Sequence, residues 1–103
     1  MKLYISGPMR GYSRFNFDSF YAAEKDLQNR GYETINPARI DEEHGIDPDT
    51  MTFEKDIKPI FNELVTRDVE AIIECDGIVL LSGWQESTGA RAELGVCEWL
   101  GKS

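Results

Sequence analysis

Two carboxylates interrupt apolar stripes in the second half of the chain. Phe61, Leu64, Val65, Val69 and Ile72 recur at helical spacing, and Asp68 falls seven residues after Phe61 and four before Ile72. Ala90, Leu94, Cys97 and Leu100 form a second stripe, with Glu93 three after Ala90 and four before Cys97. That periodicity turns both acids inward, or to the edge of the inward face. Partial burial makes a carboxylate costly unless it is paired, and functional sites accept that cost. Either acid alone reads first as a boundary residue with its head in water. On consecutive helices flanking one strand, the two together have the makings of a nucleophile and a proton donor.

The residues around them add hydroxyls, glycines and a cation. A helical side chain leans toward its own N-terminus, so Glu93 reaches back over Gly89, where a missing side chain leaves room for a ligand. Ser87 and Thr88 stand beside the free amides of that helix start, an anion pocket or simply an N-cap. Near the N-terminus, "KLYIS" runs into Ser6, Gly7, Pro8, Met9, Arg10 and Gly11. This turn is either a plain chain reversal or a cradle for something anionic. It lacks G-x-G-x-x-G spacing, and no G-x-x-x-x-G-K-[ST] occurs, so neither a dinucleotide nor ATP in its usual cradle is supported. Trp84 reads as a core anchor or a stacking platform, Asp76 as a turn residue, and Glu86 and Glu98 as solvated charges.

The elements that must position these groups alternate. Residues 2–6 form a strand. A helix capped by Asn16 or Asp18 follows, carrying Phe20, Ala23 and Leu27 and closed by Gly31. Residues 32–35 form a second strand stopped by Asn36-Pro37, and residues 38–52 a long polar loop of the lid or binding kind. A helix runs from Asp56 or Pro59 to Glu74. "GIVLL" (77–81) is uniformly apolar and expected to be buried on both faces. Residues 82–90 are a Gly/Ser-rich loop before the last helix. The order β-α-β-α-β-α predicts an α/β domain: a small three-layer, Rossmann- or flavodoxin-like parallel sheet with helices on both faces. Segments 6–14, 36–40 and 82–90 should then gather beyond the carboxyl ends of the strands, where such sheets bind ligands. Three strands make a thin sheet, which favours docking against a second copy.

Bulk properties bound the function. A chain of 103 residues is one domain. Its formal charge of −8 repels polyanions, so a nucleic-acid polymer is not the expected partner, although a few placed donors suffice for a small anion. No apolar run is long enough to span a bilayer and no signal-peptide core is present, so a cytoplasmic protein without membrane contact is expected. Cys75 and Cys97 read as buried free thiols. A single histidine, His44, argues against a zinc site.

Taken together, "YISGPMRG", "RDVEAIIECDGIVLL" and "STGARAELG" resemble the nucleoside 2-deoxyribosyltransferase superfamily, including its 2'-deoxynucleoside 5'-monophosphate N-glycosidase branch. The likeness extends to short phage and bacterial relatives with "NPA" after strand two. It implies Glu93 as nucleophile, Asp68 as the partner contacting the base or leaving group, and Tyr4 as the residue orienting nucleophile and sugar. It further implies a 5'-phosphate held by Ser6, Gly7, Arg10, Gly11 and Ser87, with Gly89 leaving the space. No metal or organic cofactor is expected; the partner is a nucleoside or nucleotide, and the state a homodimer or larger homo-oligomer. Family enzymes continue past the last helix with another strand, so residues supplied from that region are expected to be missing. Two other classes compete: a nucleotide sensor or sponge that does not cleave, and a small phage interaction protein.

Overall fold

The computed structural model describes residues 1–102. Three parallel strands, β1 (Lys2–Ser6), β2 (Glu33–Ile35) and β3 (Gly77–Leu80), lie in the order β2-β1-β3. Four helices accompany them: α1 (Phe17–Asn29), α2 (Pro37–Glu43), α3 (Phe61–Glu74) and α4 (Thr88–Trp99). Leu3 pairs with Thr34 on one side and Gly77 on the other, so β1 is the central strand. Alternation along β1 divides the core. Ile5 packs with Phe17 and Phe20 of α1 and with Ala38 of α2. Tyr4 packs in a second cluster with Ala71, Ile72 and Cys97 of α3 and α4. The result is the α/β sandwich of helices on both sheet faces that the alternating pattern requires. Each fully buried side chain such as Phe20 contributes about 1.5–3 kcal/mol.

Several boundaries differ from expectation, each for a physical reason. Residues 38–52 are not one loop, because α2 occupies their first part. Asn36 both stops β2 and caps α2, its Oδ1 accepting the Ala38 N–H at 3.0 Å, with Pro37 in the first helical position where its missing N–H is harmless. The third helix starts at Phe61 rather than at Asp56 or Pro59. A wide turn at Phe53–Ile57 and a tight one at Lys58–Ile60 precede it. Phe61 and Val65 of its stripe are exposed, as is Leu100 beyond the end of α4. β3 is not buried on both faces: as an edge strand with one neighbour, it keeps Ile78, Val79 and Leu80 only half-buried.

The first helix begins unusually. Arg14, Phe15 and Asn16 all take left-handed backbone conformations, at φ of 51°, 52° and 61°. Such a conformation costs a non-glycine residue roughly 1–2 kcal/mol. Asn16 holds the cap position without capping; its amide instead donates to the Pro8 carbonyl at 2.9 Å. The run thereby ties the loop after β1 to the start of α1. Cys75 and Cys97 are free and buried. No helix among the described residues is long and apolar enough to cross a membrane.

Candidate active site

Glu93 is held at both of its carboxylate oxygens. Tyr4 and Ser6, two residues apart on β1 and therefore on one sheet face, both reach it across the sheet–α4 interface. The Tyr4 hydroxyl donates to Oε2 and the Ser6 hydroxyl to Oε1, each at 2.6 Å. These are short, well-made hydrogen bonds, and both favour the ionised form of the carboxyl that accepts them. Both donors are 0% exposed, so no solvent competes for them. A carboxylate held at each oxygen has one rotamer and one direction of attack.

Asp68 completes the pair from α3. It lies close enough to Glu93 to interact through both charge and hydrogen bonding, with Tyr4 against it as well. Burial, followed by the charges of Glu93 and Asp41, pushes the Asp68 carboxyl up to about 8; Arg67 and the contact with Tyr4 oppose this. Burial also raises Glu93, but its hydrogen bonds from Ser6 and Tyr4 and its contact with Asp68 pull it back. Burial and then the charge of Glu93 hold the Tyr4 phenol well above its ordinary value, so Tyr4 remains a donor. Two neighbouring acids in a shared desolvated space cannot both ionise cheaply. Burial thus raises both carboxyls, Asp68 to about 8, while the hydroxyls that donate to Glu93 hold its rise back.

Both carboxyls open onto a cavity of about 1050 Å³ that runs from the loop after β1 to the start of α4. Gly7, Arg10, Ser87 and Gly89 line it; Gly11 does not. Ser6 and Tyr4 stand behind Glu93 rather than in the cavity wall. The Ser6 hydroxyl is committed to the Glu93 carboxylate, so it orients that side chain instead of facing the cavity. Gly11 serves its turn, with φ of +84°. At Gly7 a Cβ would sit 2.7 Å from the Leu81 Cβ, so glycine there permits close packing of the loop. Gly89 is different. A Cβ would meet nothing nearer than the Ser87 Oγ at 4.0 Å, so the bare position leaves space that the cavity occupies.

The α4 start carries the expected donors. The Ser87 hydroxyl accepts the Ala90 N–H at 3.1 Å, while the amides of Thr88 and Gly89 make no hydrogen bond among the described residues. Arg10 is exposed; its guanidinium lies 3.9 Å over the Phe53 ring and donates to Glu54 at 3.0 Å. Lys58 approaches the same Glu54 carboxylate at 3.5 Å. Trp84 is half-buried in its turn and does not line the cavity. Asp76 accepts the Lys2 N–H at 2.8 Å, as a turn residue should.

Sequence reasoning missed Asp41. It lies on α2, is 8% exposed and lines the same cavity. Burial pushes its carboxyl up to about 6, against the pull of Arg67 and His44. The signal was available: Asn36-Pro37 is a helix start, and Pro37, Ala38 and Asp41 then share the buried face. Asp41, Asp68, Glu86 and Glu93 all line one cavity, yet among the described residues no three His, Cys, Asp or Glu side chains are arranged to hold a metal ion. The arrangement can hold an electrophilic carbon against Glu93 and hand a proton to its leaving group from Asp68. No curated protein and no solved structure matches the chain. The chain belongs to the family described as "Domain of unknown function (DUF4406)", whose model matches residues 1–103.

Proposed function

We propose that this protein cleaves the N-glycosidic bond of a small nucleoside or nucleoside 5'-monophosphate, passing the sugar to water or to a second base. One observation carries the reading: Glu93, clamped by two buried hydroxyls, stands beside Asp68, whose carboxyl is pushed up to about 8, at the wall of a cavity large enough for a nucleotide. Glu93 attacks C1', forming a C1'–O bond as the C1'–N bond breaks. The electron pair of that bond leaves on the base nitrogen, which takes the Asp68 proton. Asp68, now ionised, deprotonates the incoming water or base, and Glu93 departs. This is the two-carboxylate cycle of retaining glycosidases. It needs no metal and no organic cofactor.

The rest of the cavity suits the remainder of such a substrate. The free Thr88 and Gly89 amides, Ser87 and Arg10 are the groups available to a 5'-phosphate or to sugar hydroxyls. Gripping the remote end fixes the anomeric carbon near the nucleophile. The same reading takes the protein to be cytoplasmic and a homo-oligomer; the unpaired β3 edge and Trp99, 89% exposed, favour self-association, which sedimentation measures.

The test is direct. Incubation with deoxynucleoside monophosphates should release free base, detected by chromatography, and Glu93→Ala should abolish it. The second reading is a nucleotide sensor or sponge, favoured by the burial that raises Glu93 and so opposes a free nucleophile. Ligand-induced thermal stabilisation without base release would select that reading.

A further inference from the structure

Asp41 is a buried acid with nothing to hold. It is 8% exposed, yet its carboxylate accepts no hydrogen bond from any described residue. Arg67 acts on it through charge, without a hydrogen bond between them, and the Arg67 Nη1 is itself buried and unpaired. The Asp41 oxygens are not sealed in the core with the unpaired Arg67 Nη1 but face the cavity that Asp41 lines, where a donor on a ligand can reach them. The cavity wall sets Phe17, Phe20, Ile46, Ile57 and Leu64 beside polar groups such as Tyr12 and Asn62, none of which hydrogen-bonds Asp41. The cavity thus combines apolar faces with an acceptor that no protein donor occupies, the complement of a flat heterocycle with a donor on its edge.

We propose that Asp41 is a specificity-determining residue, its carboxylate accepting from the exocyclic amino group of the nucleobase. The inference rests on the glycosidic reading of the same cavity and names its substrate class. An ionised carboxylate only accepts, so it discriminates by sign. Adenine, cytosine and guanine present an amino group that it can bind. Hypoxanthine and uracil present a carbonyl oxygen at the corresponding positions, which would face the carboxylate lone pairs and leave both groups unpaired. Sites built this way reject the analogue more strongly than apolar pockets do. Asp68, which manages the leaving-group proton, is a different carboxylate on a different helix, so recognition and chemistry are separable by mutation.

The experiment compares matched pairs on the full chain: deoxyadenosine against deoxyinosine 5'-monophosphate, and deoxycytidine against deoxyuridine 5'-monophosphate. Base release by the wild type should favour the amino member by about 10- to 100-fold in kcat/KM. Asp41→Asn, whose amide both donates and accepts, should bring the ratio within about threefold of unity. A wild type indifferent to the amino group overturns the proposal whether or not the variant folds. So does a preference that Asp41→Asn leaves intact. Calorimetric binding of the same nucleotides to Glu93→Ala and to the Glu93→Ala/Asp41→Asn double variant separates the two levels. An amino preference in binding that Asp41→Asn removes, without base release by any wild-type sample, upholds Asp41 and sinks the glycosidic chemistry. Neither release nor binding across the panel sinks both.

Discussion

The cavity has two ends built on opposite principles. At the inner end, the buried Tyr4 and Ser6 and the half-buried Asp68 and Glu93 form a nest in which two hydroxyls are committed to one carboxylate at 2.6 Å. At the mouth, Arg10, Glu54 and Lys58 form exposed ion pairs, with Arg10 stacked on Phe53. Exposed pairs of this kind are worth about 0–1 kcal/mol and weaken with salt, whereas buried charge-assisted hydrogen bonds are worth more and tolerate little displacement. The nest can hold a reacting carbon in one geometry. The mouth can exchange Glu54 for an incoming anion at small cost. Preorganisation belongs where bonds change, and adaptability where the ligand enters.

After the loss of Glu93 itself, the largest effect is expected from Asp68→Asn, which removes the proton donor of the proposed cycle and should lower base release by about 100- to 10,000-fold. Wild-type activity should fall as pH rises through about 8, where Asp68 loses its proton, and the residual activity of the variant should lack that limb. Stability provides an independent reading. Folded Asp68 keeps its proton up to about 8, while in the unfolded chain it is released near the ordinary value of 3.8. Unfolding between those limits releases a proton, so stability declines as pH rises across the window. Asp41, raised to about 6, adds to the lower part of that decline. In Asp68→Asn the fall between pH 6 and 8 should disappear from thermal melts; its persistence would place the shifted group elsewhere.

Tyr4→Phe removes one of two donors from Glu93. Losing a hydrogen bond to a charged group costs about 1.5–3 kcal/mol, which in the transition state is about a 10- to 150-fold loss in kcat. The remaining Glu93 carboxyl should titrate higher, moving the acid limb of the pH–rate profile upward.

The glycines distinguish packing from access. Gly7→Ala should lower the melting temperature by several degrees, because its Cβ would strike Leu81. Gly89→Ala should leave melting unchanged or raise it slightly, since alanine suits a helix and meets no protein atom, yet it should weaken nucleotide binding measured calorimetrically. If both variants simply destabilise, Gly89 is not keeping a ligand's space. The smallest effect is expected at the mouth: Arg10→Ala should raise KM less than about 10-fold, leave kcat alone, and flatten the salt dependence of kcat/KM.

Much of this architecture was readable from periodicity. The inward turn of Asp68 and Glu93 follows from i, i+3 and i, i+4 spacing, and the alternation of strands and helices prescribes a parallel sheet. The polar stretch after β2 hides α2 because an Asn-Pro pair that stops a strand is also one that starts a helix, and here Asn36-Pro37 does both. β3 looked fully buried because an apolar strand does not say how many neighbours it has.

Local spacing therefore determined which side chains leave their helices toward the core, since a helix repeats every 3.6 residues wherever it lies. It had no means of deciding who meets them. The hydroxyls of Tyr4 and Ser6 find Glu93 across 89 and 87 residues of chain. Arg10 gives its charge to Glu54, and Asp41 joins the two acids from a third helix. Such meetings depend on how the layers stack, which is a property of the whole packed core and of no short stretch within it.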